Sequence, residues 1–238
     1  MRLLLALLVL LRASPLWAQQ PARWLEQLDA TSTTARETAA DSLGAMGAPA
    51  IPALRERLQG EPAARRMWAA IALERMGSAA SPAVPDLVQA LGDPDRWVRT
   101  RASAALGRIG APAVPALAQA LADSSRRFFA ALALSRMGDA AAPAVPALTR
   151  AAAAGAPVAR AEAILALGEI GDAARPAVPV MIEALGSDDA WLRTRAALTL
   201  PRFGADALPA EPALRRMLDD PNPDVRNAAT DALSRLPR

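Results

Sequence analysis

Asp, Glu, Ser, Thr and Arg are the side chains left to do chemistry in this 238-residue chain, which contains no His, Cys, Tyr or Lys. Zinc sites of the usual kind, a Cys nucleophile and a Ser-His-Asp triad are therefore excluded, as are a P-loop lysine and a Schiff base. Carboxylates could still act as acid and base, and arginines could hold a phosphate or a carboxylate through paired hydrogen bonds. No paired Asp/Glu stands outside stretches that read as solvated turns, so no catalytic residue, metal site or cofactor is expected.

Arginine is the residue whose spacing stands out. One column runs Arg36, Arg66, Arg99, Arg127, Arg160, Arg193 and Arg226, and a second runs Arg75, Arg108, Arg136, Arg202 and Arg235, with Glu169 as its exception. Aromatic residues keep the same beat. Trp97, Arg101, Ala104 and Arg108 follow at i, i+4, i+7 and i+11, one line along a helix. Trp68-Ile71-Arg75, Phe129-Leu132-Arg136 and Trp191-Arg195-Leu198-Arg202 read as equivalent lines. Such a ridge of aromatic and arginine residues suits a binding hot spot. The same residues four apart could instead stack on one another and fill the wedge between neighbouring helices.

The elements that carry these columns come from an internal repeat. Pro-Ala-x-Pro occurs six times, with second prolines at Pro52, Pro85, Pro115, Pro146, Pro179 and Pro212, and glycines close the units at Gly47, Gly77, Gly110, Gly138, Gly171 and Gly204. Pro237 takes the closing place in a seventh unit. The second proline fits the first turn of a short helix A, where its missing N–H would have been unpaired in any case. A turn such as Gly92-Asp93-Pro94-Asp95 follows, and Val98, Ala102, Ala105, Leu106 and Ile109 then give helix B an apolar stripe at helical spacing. The glycine is expected to end helix B in the left-handed conformation. No alternating strand pattern exists after the leader. A single hairpin cannot bury its own stripe, so seven units must stack into an all-α, right-handed α-solenoid whose core is continuous. Alanine, about a quarter of the residues, permits close helix approach and favours helix.

Residues 81–110, with Pro82-Ala83-Val84-Pro85, Asp93-Pro94-Asp95, Val98-Arg99 and Ala104-Ala105-Leu106-Gly107-Arg108-Ile109-Gly110, resemble the short HEAT repeat of the phycobilisome-lyase-like type, and the likeness extends over essentially all of the chain after its leader. The resemblance implies a protein-interaction scaffold, since most members are scaffolds and a few are enzymes or enzyme subunits. It implies helices B along the concave side. It also implies that the first arginine column is structural, binding turn aspartates and backbone carbonyls: Asp93 before Arg99 and Asp220 before Arg226 have the six-residue spacing for it, whereas Gly60, Leu121, Ala154 and Ser187 do not. The second column is read as cations that complement helix dipoles.

The N-terminus reads as a targeting segment: Met1-Arg2, an apolar run over Leu3 to Leu11, and Leu16-Trp17-Ala18 before Gln19. Residues 1–18 are expected to be a signal peptide and 19–238 the solenoid, in a secreted or periplasmic protein with no membrane span after the leader is removed. That protein would have no disulfide to hold it. The pI of 10.9 is not a sign of a basic protein. Nothing titrates between the carboxylates and the arginines, and removal of the leader leaves 25 arginines against 24 acids. That balance speaks against nucleic-acid binding, which HEAT-like DNA glycosylases would suggest. An enzyme-accessory or lyase role is the other alternative, and the missing acid–base pair and the export leader speak against it. The expected activity is therefore non-enzymatic: a protein or peptide bound along helices B through Trp68, Trp97, Arg101, Arg108, Phe129, Trp191, Arg195 and Arg202.

Overall fold

A computed structural model describes residues 16–237. Up to residue 15, the expected leader lies outside the described residues. Fourteen α-helices form seven hairpins: α1 (Leu16–Gln27) with α2 (Thr33–Met46), α3 (Ile51–Arg57) with α4 (Ala63–Met76), α5 (Val84–Ala90) with α6 (Arg96–Ile109), α7 (Val114–Ala120) with α8 (Arg127–Ser135), α9 (Val145–Ala153) with α10 (Pro157–Ile170), α11 (Val178–Ala184) with α12 (Ala190–Thr199), and α13 (Glu211–Arg216) with α14 (Pro223–Arg235). The odd-numbered helices are helices A and the even-numbered ones helices B. The chain is an α-solenoid, and no strand occurs among its described residues.

From α3 onward each helix A begins one residue before the second proline of the motif, which therefore sits in the first turn. The first proline lies in a short 3-10 turn joining one hairpin to the next. Asp95, Asp189 and Asn222 cap α6, α12 and α14 by accepting hydrogen bonds from the first free backbone N–H groups.

The closing glycines all have positive φ, as at Gly110 with φ 77° and ψ −142°. This is not the left-handed helical conformation expected from the sequence. It is the mirror image of extended backbone, a region that a Cβ excludes and glycine enters freely. The Gly110 N–H still closes the helix on the Leu106 carbonyl, and its own carbonyl accepts the Ala113 N–H of the 3-10 turn.

Two columns make the core continuous. Helices A contribute Leu54, Leu87, Leu117, Leu148, Met181 and Leu214 from equivalent positions, all fully buried. Helices B contribute an alanine three residues after each ladder arginine, from Ala39 through Ala102 to Ala229, and these too are fully buried. The small side chain lets successive helices B pack backbone to backbone, while Leu43, Leu73, Leu106, Leu134, Leu167 and Leu200 one turn later fill the interior. Each such leucine contributes about 1.5–3 kcal/mol by burial. Among the described residues no helix is long and apolar enough to cross a membrane.

Candidate interaction surface

The first arginine column does join the turns, but not by the pairing that the six-residue spacing suggests. Asp93 receives Arg66 Nε at 2.7 Å and Arg66 Nη2 at 3.0 Å, and Asp220 receives Arg193 Nε and Nη2, both at 2.9 Å. In each case the guanidinium belongs to the preceding repeat. Arg99 and Arg226 donate instead to the backbone carbonyls of Asp93 and Asp220. A carbonyl is present whatever the residue, so Arg66, Arg127 and Arg193 reach the carbonyl six residues back, on Gly60, Leu121 and Ser187, in the same way. Arg160 takes the Ala152 carbonyl, and Arg127 crosses to that of Ala154 in the next repeat. Hydrogen bonds from Arg193 hold the Asp220 carboxyl below the usual range, and those to Asp93 push Arg66 further up.

Two ladder arginines stack on an aromatic ring of the following repeat: Arg36 lies 5.2 Å from the Trp68 ring and Arg99 5.3 Å from that of Phe129. This overturns the reading of Trp68 and Phe129 as ridge residues. Trp68 is 7% exposed, and Phe129 packs against the core, edge-on to Phe128. The physical reason is register. Both stand two residues after their ladder arginine, the place of Arg101 and Arg195, whereas Trp97 and Trp191 stand two residues before theirs. The four aromatic residues belong to two columns a full turn apart, and only one column faces solvent.

Trp97 and Trp191 are 59% and 55% exposed. Val158 occupies the same position in the fifth repeat and is 52% exposed. Counting along each helix B from the ladder arginine, positions −2, +1 and +5 lie on one side, away from the core stripe. Among the residues there are Trp97 in α6, Phe128 and Leu132 in α8, Val158 and Leu165 in α10, and Trp191 and Leu198 in α12, all exposed or half-buried, whereas Thr100, Ser125 and Thr194 are polar and Ile71 in α4 and Ala161 in α10 are buried. The end repeats break this stripe with Thr34, Glu37 and Asp41 in α2 and Asp224, Asn227 and Asp231 in α14. At the α12–α14 boundary the stripe opens into a cleft of about 570 Å³, with Trp191 and Leu198 on one wall and Asn222, Asp224, Asn227 and Asp231 on the other.

The other expected site residues border the stripe. Arg195 lies over the Trp191 ring at 4.9 Å, and Arg101 is 3.8 Å from Glu74 of the preceding repeat. Arg108 is exposed, with no carboxylate partner among the described residues. The second arginine column is more than a dipole complement. Arg75 reaches Asp41, Arg136 donates to the Ser103 hydroxyl, and Arg202 donates to the Gly168 carbonyl and pairs with Glu169 at 2.9 Å, each link crossing to the repeat before. Glu162 takes the Arg101 and Arg195 position in α10. Burial raises its carboxyl above the usual range despite the neighbouring Arg195 and Arg136, and its Oε1 has no hydrogen-bond partner. Among the described residues no group of side chains is arranged to hold a metal ion.

A family model for HEAT repeats matches residues 74–134, 127–201 and 178–237, and one for the PBS lyase HEAT-like repeat matches residues 35–60. Solved structures with a similar fold include the following three. An engineered protein from the Northeast Structural Genomics Consortium is 22% identical, with TM-score 0.54 over 90% of this chain and 67% of that one. The complex of CpcE and CpcF of phycocyanin lyase from Nostoc sp. PCC7120 is 24% identical, with TM-score 0.56 over 64% of this chain and 98% of that one. A Kap121p mutant is 14% identical, with TM-score 0.57 over 92% of this chain and 29% of that one. At these identities the likeness is one of fold. No curated protein matches the chain.

Proposed function

Because the chain belongs to the HEAT repeat family, we propose that it is a non-enzymatic interaction scaffold that binds a protein or peptide across the exposed face of helices B. The observation that carries this reading is the pair Trp97 and Trp191, two large indoles left more than half exposed at one position of two repeats in a molecule that buries Trp68. Keeping such rings in water forgoes burial worth roughly 1.5–3 kcal/mol each, and tryptophan and arginine are the side chains most enriched at hot spots. Repeat stacks present extended surfaces of this kind. The stripe between the two indoles is mostly apolar, broken by Thr100, Ser125 and Thr194, and of the arginines beside it Arg101 reaches Glu74 of the repeat before while Arg195 lies over the Trp191 ring.

The leader-like residues 1–18 support a secreted or periplasmic location. Near-neutral charge after the leader supports a protein partner over a nucleic acid. From α6 to α12 the stripe positions hold no carboxylate, which supports the non-enzymatic reading.

The experiment is a capture from cell-envelope extract by immobilised wild type and by a Trp97→Ala/Trp191→Ala variant of equal thermal stability. Partner recovery at least tenfold lower with the variant is expected. Equal recovery would remove the exposed face from the account.

A further inference from the structure

We propose that the cleft between the sixth and seventh repeats is a socket for one arginine side chain of the protein partner. The inference rests on the reading above and adds what this end of the helix B face recognises. Two turns of α12 and two of α14 make the walls. Trp191 and Leu198 stand seven residues apart on one, and Asp224 and Asp231 seven residues apart on the other, with Asn227 between them. An apolar wall and an acidic wall therefore run side by side for about 10.5 Å. The volume of about 570 Å³ falls inside the usual span of ligand pockets, roughly 300–1,000 Å³.

The acidic wall is particular to this place. Trp97 is followed in the next helix B by Ser125, Phe128 and Leu132, and Val158 by Trp191, Thr194 and Leu198. Of these three exposed apolar residues only Trp191 is followed by carboxylates. Nor do Asp224 and Asp231 serve merely to finish the stack in polar residues. Four residues after the ladder arginine, the first six repeats hold Ala40, Ala70, Ser103, Ala131, Ile164 and Ala197, all buried, and the seventh holds the exposed Thr230. That exchange already makes the end of the stack polar, whereas Asp224 and Asp231 lie on the side of the stripe.

The charges fix the class of occupant. Asp231 is paired with Arg235 at 3.2 Å, and Asp224, in the first turn of α14, has no arginine partner among the described residues. One uncompensated carboxylate opposite an indole suits one cation on an apolar stem. Arginine fits this better than lysine, because a planar guanidinium can stack on a ring and donate to a carboxylate as a fork. The molecule already makes the stacked half of that contact within itself, with Arg36 on Trp68 and Arg195 on Trp191. Arg195 is drawn toward Glu162 of the repeat before and forms no part of the cleft wall, so the other side of the Trp191 ring is left for the incoming side chain. Leu198 then receives its methylene stem.

The test uses the full chain and three acetylated pentapeptides: Ala-Leu-Arg-Leu-Ala, the same peptide with lysine, and the same peptide with citrulline, the uncharged isostere of arginine. Binding is read from the indole N–H resonances, with that of Trp191 identified by Trp191→Phe. The arginine peptide is expected to move the Trp191 signal and leave the Trp97 signal in place, and to bind at least fivefold tighter than the lysine or citrulline peptide. Asp224→Asn, exposed and checked by circular dichroism, should remove the advantage of arginine over citrulline without changing the affinity for citrulline. Equal binding of the citrulline peptide, tighter binding of the lysine peptide, an advantage of arginine that survives Asp224→Asn, or no movement of the Trp191 signal at 5 mM peptide would overturn the inference. If the Trp97→Ala/Trp191→Ala variant nevertheless lost its partner from envelope extract, the interaction face would stand and only the arginine socket would fall.

Discussion

Asp93 is held by Arg66 of the repeat before it, at 2.7 and 3.0 Å, and not by Arg99 six residues later. The same carboxylate accepts the Asp95 N–H, so one side chain shapes its own turn and ties it to the neighbouring repeat. Arg66 and Asp93 are both nearly buried, so truncating either would strand the other charge. Arg66→Ala is expected to cost about 2–4 kcal/mol, toward the lower part of the range for broken buried pairs because Glu61 also contacts Arg66 near the surface. Arg99→Ala, which gives up carbonyl contacts and a ring stack, should cost less. Urea melts of the two variants give the comparison, and equal losses would contradict the cross-repeat assignment.

The two tryptophan columns predict opposite behaviour. Trp68→Ala empties a packed site and should destabilise by about 3–5 kcal/mol. Trp97→Ala and Trp191→Ala should stay within about 0.5 kcal/mol of wild type, as exposed substitutions do. Thermal melts measure both, and the emission maximum of a Trp68-only variant should lie to the blue of a Trp97-only one.

Much of the architecture is legible in the sequence because each repeat restates it. From the second repeat on, the second proline marks where each helix A starts and the glycine where each hairpin closes, and the apolar stripe of α6 fixes which side is buried. What was not legible is register between columns and contact across repeats. Trp68 and Trp97 lie on nearby lines when each helix is drawn alone. Only their offsets from Arg66 and Arg99, +2 and −2, separate a core ring from a surface ring. Likewise a six-residue spacing within one chain segment invites a local pair, whereas stacking brings the arginine 27 residues earlier closer to the carboxylate. Leu132 and Leu198 already stand in the lines drawn from the aromatic residues, whereas Val158 and Leu165, in a helix B without an aromatic residue, fall outside them.

Glu162 predicts a pH effect of definite sign. Its folded-state carboxyl is raised, first by burial, so the folded protein binds its proton more tightly than the unfolded chain does, and stability falls as pH rises through that window. Glu162→Gln should therefore raise the melting temperature at pH 7, and the gain should shrink as pH approaches 4. Asp220 acts in the opposite sense. Its carboxyl is depressed by the hydrogen bonds from Arg193, so its stabilisation is present above the unfolded-state value and is lost as pH falls through the folded one. In Arg193→Ala the acid loss of stability should be shallower than in wild type. A gain in Glu162→Gln that is independent of pH would contradict the assignment.

Gly168 lies inside α10, where a Cβ would stand 2.5 Å from Thr199 Cγ2 of α12. Alanine normally favours a helix interior over glycine by about 1 kcal/mol. Here it should lower the melting temperature, because the two helices B must separate. Gly168→Ala combined with Thr199→Ser, which removes the opposing methyl, should recover most of the loss.

The central claim is that a partner covers the exposed stripe of helices B. The most direct measurement places a photo-crosslinking benzophenone side chain at Val158, between Trp97 and Trp191 in the same column, and at Gln119, exposed on helix α7. A partner from envelope extract should be captured from position 158 and not from position 119, and Trp97→Ala/Trp191→Ala should abolish the capture. Capture from position 119 alone, or capture from 158 that is indifferent to the two tryptophans, would contradict that claim.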